Sequence, residues 1–282
     1  MQKWQVSEME SEAAQTPLSP VEQFGVDVRE MRLARGLSVR GLGSAIGYSG
    51  AYVSNVENGK QMPSVRFAEG CDRVFNTGTL LQRQRQAAIE GDHPSWFVPY
   101  LQHERRARRI LGYSTLLLTG LLQTPEYARA LYRMSVPRLT AEKVESKVAA
   151  RMTRREILDR ADPPAPDLWV VLHEACLRVE VGGIGMMAHQ LESLLADAER
   201  PNVTLQLLPF KAVPVTSRPF TLLTFEDAPT VLHAEGPQGG RPLETPKITA
   251  AAMETYDRLR AEALGREATL NLIRTVLEEY AK

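Results

Sequence analysis

The strongest constraint on the fold of this chain lies in residues 36–63. Ser38 is a favourable helix N-cap. The apolar residues behind it are spaced as on one helix face: Leu42, Ala45 and Ile46. Gly47 then ends the predicted helix, because glycine takes the left-handed conformation of a helix end at little cost.

A second short helix is predicted directly after Gly47. Its N-cap is Ser49, and a turn at Asn58-Gly59 follows it. Its apolar face consists of three residues: Tyr52, Val53 and Val56. Because the connection is so short, the two helices have to cross steeply, as in a helix-turn-helix motif, whose second helix can enter the major groove of DNA. The same corner can equally be a packing element of an all-α core.

The segment from Leu37 to Ser64 also resembles a known class of domains. It matches the Cro/repressor (XRE) class through the order L-S-x-x-x-L-x-x-x-I-G-Y-S-x-x-x-V-S-x-x-E-N-G-K-x-x-P-S. The resemblance implies a transcriptional regulator that binds double-stranded DNA. Since one recognition helix reads only a few base pairs, we expect a homodimer on a two-fold-related operator.

The resemblance implies which residues would read bases. These positions begin the recognition helix: Ser49, Gly50, Ala51, Ser54 and Asn55. Asn55 is the strong base reader among them, because a side-chain amide pairs with adenine, and Ala51 can meet a thymine methyl. Gly50 and Ala51 stand where the class usually carries Gln, Ser or Lys, so we expect reduced sequence specificity.

Phosphate contacts are expected from a second set: Arg40, the backbone of Asn58 and Gly59, Lys60, and Arg66. Each charge in this set can equally be an ordinary solvated side chain. In the resembled class, a basic residue late in the first helix pairs with the glutamate before Asn-Gly, which here gives Arg32 with Glu57. We expect this pair to hold the domain together without touching DNA.

The charge distribution separates the two halves of the chain. The formal net charge is zero, but residues 91–160 carry 13 Lys and Arg against 7 Asp and Glu, whereas residues 161–282 carry 11 against 17. Such asymmetry fits a nucleic-acid-binding end and an acidic regulatory end. It is also compatible with a basic surface that meets an acidic partner protein.

The 282 residues are enough for two domains. We predict four segments: a disordered leader (1–20), a helix-turn-helix domain (21–80), a linker helix (81–92) and a larger regulatory or partner-binding domain (93–282). The first domain is predicted to be all-α and the larger one α+β, with a small mixed sheet flanked by helices. The predicted strands are 168–172, 203–208, 220–225 and 230–233, and one predicted helix is Gln102 to Ile110.

Four runs in the larger domain resemble the carboxyl-terminal domain of actinobacterial XRE-type regulators, such as those of the WhiJ type: GLLQTPEYARAL, LHEACLRVEVGG, QLESLLADAERPNVTLQLLPF and PFTLLTF. The resemblance covers nearly all of residues 93–276. It implies regulators that are often encoded beside a small partner protein, with which some form antitoxin-like pairs. The alternative function is therefore an antitoxin-like protein that binds a small partner, with DNA binding serving autoregulation.

We expect no enzymatic activity, no cofactor and no metal site. His173-Glu174 lacks the second histidine of a zinc motif, and Gly182-Gly183 does not continue into a dinucleotide fingerprint. Cys71 and Cys176 are interpreted as small buried hydrophobes. No apolar run approaches the ~20 residues of a membrane span, so we expect a cytoplasmic protein that associates with the nucleoid through DNA.

An aromatic cluster precedes the basic run of the larger domain: Trp96, Phe97 and Tyr100. Aromatic side chains beside arginines can form a platform for single-stranded nucleic acid. We favour the other interpretation, in which the rings anchor a core and the arginines stay in water.

Overall fold

The computed structural model describes residues 18–91, 93, 95–212, 216, 218–236 and 239–280. All but the last three residues of the predicted leader lie outside these ranges. The chain divides into two compact units, Met1–Ala88 and Ile89–Lys282.

The described part of the first unit consists of five helices: α1 (Pro20–Ala34), α2 (Val39–Ile46), α3 (Gly50–Glu57), α4 (Val65–Phe75) and α5 (Leu80–Gly91), the last of which continues past the division. The first four share one device, a serine N-cap whose hydroxyl accepts a hydrogen bond from the backbone N–H three residues later. The caps predicted at Ser38 and Ser49 are confirmed.

The core of this unit is built by one face of each helix, including Phe24, Leu42, Val53 and Phe67. Ala45, predicted to face inward, is exposed. Only Leu42 and Gly43 of α2 are fully buried, because the turn after α2 folds back over Gly43 and the buried face of the helix is narrow.

Helix α5 belongs to the core of the first unit as far as Ala88, although residues 81–92 were predicted as a linker. Leu81 is fully buried, and the Arg85 Nε donates to the carbonyl of Pro63 at 2.7 Å. The buried carboxylate of Asp72 accepts the N–H groups of Leu81 and Gln82 at 2.9 and 3.1 Å. Burial raises the pKa of Asp72, but the hydrogen bonds it accepts outweigh burial and hold the pKa below its usual value.

The described part of the second unit contains both α-helices and strands. In chain order they are α6 (Val98–Arg106), β1 (Arg109–Ser114), α7 (Pro125–Ser135), α8 (Ala141–Arg155), β2 (Asp167–His173), α9 (Ala175–Arg178), α10 (Ile184–Asp197), β3 (Val203–Leu208), β4 (Phe220–Thr224), β5 (Val231–Gly236), β6 (Gly239–Leu243), α11 (Pro246–Glu262) and α12 (Arg266–Tyr280). The strands form one sheet in the order β3-β2-β1-β4-β5-β6. Strands β1, β2 and β3 are parallel, and β4 to β6 are antiparallel to their neighbours. The prediction of an all-α domain followed by an α+β domain with a mixed sheet is confirmed.

Helices cover both faces of this sheet. Val170 and Leu205 pack with residues of α10 and α12, whereas Leu111 and Val171 pack with Tyr256 of α11. The outer edge of β3 is also covered, since Leu207 accepts from the N–H of Leu264 and donates to the hydroxyl of Thr269. The aromatic cluster behaves as predicted, with Phe97 and Tyr100 in the core.

The structure differs from the predicted secondary structure at two places. The helix predicted over 102–110 ends at Arg106, and the central strand β1 begins at Arg109. A strand buried on both faces carries no alternation of apolar and polar residues, so its period gives no signal. Residues 239–243, which lie outside the predicted strands, form the edge strand β6, where Pro242 is tolerated because an edge strand does not need every N–H.

The two cysteines are free and buried, as predicted, and burial raises the pKa of each thiol to about 12. Within the described ranges, three or more metal-ligating side chains nowhere come together. In the same ranges the helices are too short or too polar to cross a membrane.

Tyr113 provides a test of this core. The residue is 2% exposed, and its hydroxyl is buried without a hydrogen-bond partner among the described residues. Tyr113→Phe should therefore leave the free energy of unfolding unchanged or raise it. The matched control is Tyr256→Phe, which removes a 2.7 Å hydrogen bond to the carbonyl of Trp169 and should cost about 0.5–1.5 kcal/mol. Urea unfolding measures both; equal losses would mean that the Tyr113 hydroxyl is satisfied.

Candidate nucleic-acid interface

The corner between α2 and α3 depends on a glycine at each of two points. Gly47 ends α2 with φ +78°, a conformation that side chains with a Cβ rarely adopt. The turn then folds back so closely that a Cβ on Gly43 would lie 2.5 Å from the carbonyl oxygen of Tyr48. The steep crossing predicted from the short connection thus requires the absence of a side chain at Gly43.

Helix α3 is joined to α1 by a buried ion pair. The Nε and Nη2 of Arg32 donate to the two carboxylate oxygens of Glu57 at 2.5 and 2.8 Å, and Nη1 donates to the carbonyl of Leu37 at 2.8 Å. The two residues are 6% and 7% exposed. The hydrogen bond to Glu57 raises the pKa of Arg32 further. One guanidinium therefore fixes the end of α3 and the chain between α1 and α2.

The inner face of α3 is fixed to the start of α4. The hydroxyl of Tyr52 accepts the N–H of Ser64 at 3.0 Å, and Tyr48 is hydrogen-bonded to the hydroxyl of the same serine. The rings of Tyr48 and Tyr52 lie 4.5 Å apart, and each is 5.4 Å from Phe67. With this face anchored, the opposite face of α3 points into solvent.

The predicted base-reading residues occupy that outer face to different degrees. Ser49, Ala51 and Asn55 are exposed, whereas Gly50 and Ser54 are half-buried. Two of the hydroxyls are already engaged: Ser49 caps its own helix at 3.2 Å, and Ser54 accepts from the side-chain amide of Asn58 at 3.3 Å. Among the described residues, the amide of Asn55 makes no hydrogen bond, which leaves both its donor and its acceptor for a base edge.

Gly50 has a role that the sequence did not reveal. A Cβ at this position would lie 3.1 Å from the Cγ of Arg40. The side chain of Arg40 thus runs along the first turn of α3 in the space that a larger residue would fill. The missing side chain at Gly50 removes one base reader but brings an arginine to the same surface.

The phosphate-contact prediction needs a correction at two residues. The backbone N–H of Asn58 donates to Ser54 at 3.1 Å, and that of Gly59 donates to Val56 at 3.0 Å. Gly59 also lies against the side chain of Glu22, since a Cβ there would come within 2.6 Å of the Glu22 Cγ. These N–H groups end the helix and are not available to a phosphate. Arg40, Lys60 and Arg66 are exposed and, within the described residues, form no ion pair.

The buried ion pair predicts the stability of this unit. Arg32→Met or Glu57→Leu alone should cost about 3–5 kcal/mol, because each leaves an unpaired buried charge, and the double variant should cost less than the sum. The matched control is Arg129→Met: Arg129 binds Glu145 with the same fork geometry but in solvent, so its loss should cost at most about 1 kcal/mol. Urea unfolding of the full chain measures all four variants, and single losses no larger than the control would contradict the assigned role.

Comparison with known proteins identifies both parts of the chain. Residues 23–86 match a family model described as a helix-turn-helix domain. Residues 97–275 match the model of a domain of unknown function, DUF5753. No curated protein and no solved structure matches the chain. Since the second match spans well over half of the 282 residues, the protein belongs to the DUF5753 family and carries a helix-turn-helix domain in front of it.

Proposed function

We propose that the protein is a transcriptional regulator of the Cro/repressor (XRE) class that places α3 in the major groove of double-stranded DNA. The observation that carries this proposal is the asymmetry of α3. Its inner face is held by Glu57, Tyr52 and Val53, while Ala51 and Asn55 lie outward with no partner among the described residues. A helix fixed on one side and polar on the other is suited to reading base edges.

Cationic side chains are available for the DNA backbone on the elements around α3. Arg40 runs along the first turn of α3, Lys60 follows its end, and Arg66 lies in the first turn of α4. Such residues set the orientation of a protein on DNA and supply affinity that depends on salt. With three phosphate-binding candidates and a single amide for base readout, we propose moderate sequence specificity.

The proposed DNA complex is that of a homodimer. One α3 covers only a few base pairs, so specific binding requires a second copy on a two-fold-related half-site about one helical turn away, or a multiple of it. We further propose that the larger domain is of the kind found in actinobacterial XRE-type regulators such as those of the WhiJ type, and that it supplies dimerisation or regulation.

Two substitutions separate base readout from phosphate binding. Asn55→Ala should weaken operator binding by about 1–3 kcal/mol and relax discrimination at one base position. Lys60→Ala should weaken binding to all duplexes about equally and reduce the salt slope by about one. Fluorescence anisotropy on the protein's own promoter fragment and on a scrambled duplex, across a salt series, measures both effects.

The matched control is Arg73→Ala, which removes an exposed arginine from α4 two turns after Arg66. It should leave binding and salt slope close to those of the unmodified protein. Equal effects of Asn55→Ala on promoter and scrambled DNA would show that α3 is not the reading helix. Weak and equal binding of the unmodified protein to both duplexes would contradict sequence-specific regulation.

The second candidate function is that of an antitoxin-like protein whose larger domain binds a small partner. The observation that favours it is a set of large apolar side chains exposed on the second unit: Leu116 58%, Met134 57%, Ile184 56% and Phe210 56%. Large apolar side chains that stay exposed are available for contact with a partner protein. In this function, DNA binding would regulate only the expression of the pair.

Co-expression tests the second candidate. The full chain and a short protein encoded beside it should elute together in size-exclusion chromatography, and Leu116→Ser or Phe210→Ser should weaken their association. The control is Leu33→Ser, which changes an equally exposed leucine of the first unit, 59% exposed. Separate elution of the two proteins would exclude this function for that pair.

A further inference from the structure

Arg151 of α8 is a partly buried cation with an incomplete set of partners. Its Nη1 donates to the side-chain oxygen of Gln123 at 2.6 Å, and its guanidinium lies over the ring of Tyr132, 4.6 Å from the centroid. Its Nε is buried and has no hydrogen-bond partner among the residues that the structure describes. Within the described residues, no carboxylate forms an ion pair with it. A buried charge without a counter-charge lowers the stability of the folded protein, so a group that supplied the counter-charge would stabilise it.

Arg154, one turn later on the same helix, is a buried arginine whose charge is paired with a carboxylate. It donates to both oxygens of Glu104 at 2.8 and 3.0 Å, and it lies over the ring of Phe97, 5.0 Å from the centroid. Glu104 is 1% exposed. The nearby buried carboxylate is therefore committed to Arg154, and Arg151 stays without one.

His93 adds a second unpaired polar atom to this neighbourhood. Its ring lies 5.4 Å from that of Phe97, the ring over which Arg154 lies, and its Nε2 is buried without a partner in the described part of the chain. Burial first, and then the charges of Arg154 and Arg151, lower the pKa of His93 to about 3, so the imidazole is neutral at neutral pH. A neutral imidazole can donate one hydrogen bond to an anion.

Glu235 of β5 is a carboxylate on which the charge of Arg151 acts, and it is therefore a candidate counter-ion. Burial raises the pKa of Glu235, while the charges of Arg154 and Arg151 lower it. It forms no ion pair with either arginine within the described residues. Lys147 and Arg105 add positive charge around His93 and have contacts of their own. Within the described residues, the charge of Arg151 is therefore not matched by a paired carboxylate, whereas that of Arg154 is.

We propose that the second unit binds a small anion with a carboxylate or phosphate group at Arg151. The unpaired Nε side of the Arg151 guanidinium is suited to an oxygen acceptor, because Nη1 is already held by Gln123 and the ring of Tyr132 fixes the plane of the fork. The anion supplies the counter-charge that Glu104 gives to Arg154. This binding site is independent of DNA recognition and goes beyond the proposed regulatory function.

Thermal unfolding of the full chain tests the site with inorganic phosphate and citrate as probes, against sodium chloride at equal ionic strength. We expect a saturable rise in Tm with at least one probe. Arg151→Gln should weaken the apparent affinity at least about tenfold, the loss expected for one charge-assisted hydrogen bond. The matched control is Arg133→Gln, an exposed arginine of α7, which should bind as the unmodified protein does. Since both probes also stabilise proteins by exclusion from their surface, the difference between variants is the measured quantity.

The stability without a probe distinguishes a binding role from a structural one. Arg151→Gln removes an uncompensated charge, so its Tm in chloride should equal or exceed that of the unmodified protein. Arg151→Lys keeps the charge but lacks the fork and should also bind more weakly.

Three results would overturn the proposal. The first is an equal response of Arg151→Gln and the unmodified protein to both probes. The second is a lack of saturable stabilisation by either probe. The third is a large loss of Tm in chloride for Arg151→Gln, which would assign Arg151 to the core. None of these results depends on whether the protein binds DNA.

Discussion

The buried pair of Arg32 and Glu57 determines how α3 is presented. Two parallel hydrogen bonds join the guanidinium to the carboxylate, and a third connects it to the chain before α2. Because both groups are almost fully buried, removing either one leaves an unpaired buried charge and lowers the free energy of unfolding. The orientation of the recognition helix is therefore a property of the core, and the outer face of α3 is free to vary without changing the fold.

The same chemistry recurs in the second unit with a different outcome. Glu104 and Arg154 form a complete buried pair, whereas Arg151 on the same helix has an amide and an aromatic ring in place of a carboxylate. Of these two arginines, which are three residues apart, only Arg154 has a carboxylate partner among the described residues. The Arg154–Glu104 pair joins two helices of the unit, whereas Arg151 keeps a hydrogen-bond donor that the proposed anion would occupy.

The sequence predicted those parts of the fold that depend on neighbours along the chain. Ser38, Gly47 and Ser49 act within one helical turn, so their roles could be read from spacing alone. Strand β1 could not be found in this way, because its burial on both faces comes from the helices α10, α11 and α12, which lie far away in sequence.

The candidate site divides in the same manner. The outward position of Asn55 follows from helical periodicity, but three-dimensional contacts decide the rest. The space that Gly50 leaves for Arg40 could not be predicted from the sequence, because it depends on how α2 packs against α3. The same holds for the N–H groups of Asn58 and Gly59, which are already hydrogen-bonded within the end of α3. Arg151 gave no signal in the sequence, since its contacts Gln123 and Tyr132 lie outside its own helix.

The edges of the sheet bear on how a second protein can attach. At β3, the outward groups of Leu207 are taken by Leu264 and Thr269. At β6, Pro242 interrupts the row of donors. Neither edge offers an unbroken ladder for strand addition, which is one of the commonest ways in which sheets recruit peptides or copies of themselves. Association through this unit therefore falls to helices and loops, whose side chains can select one partner and reject others.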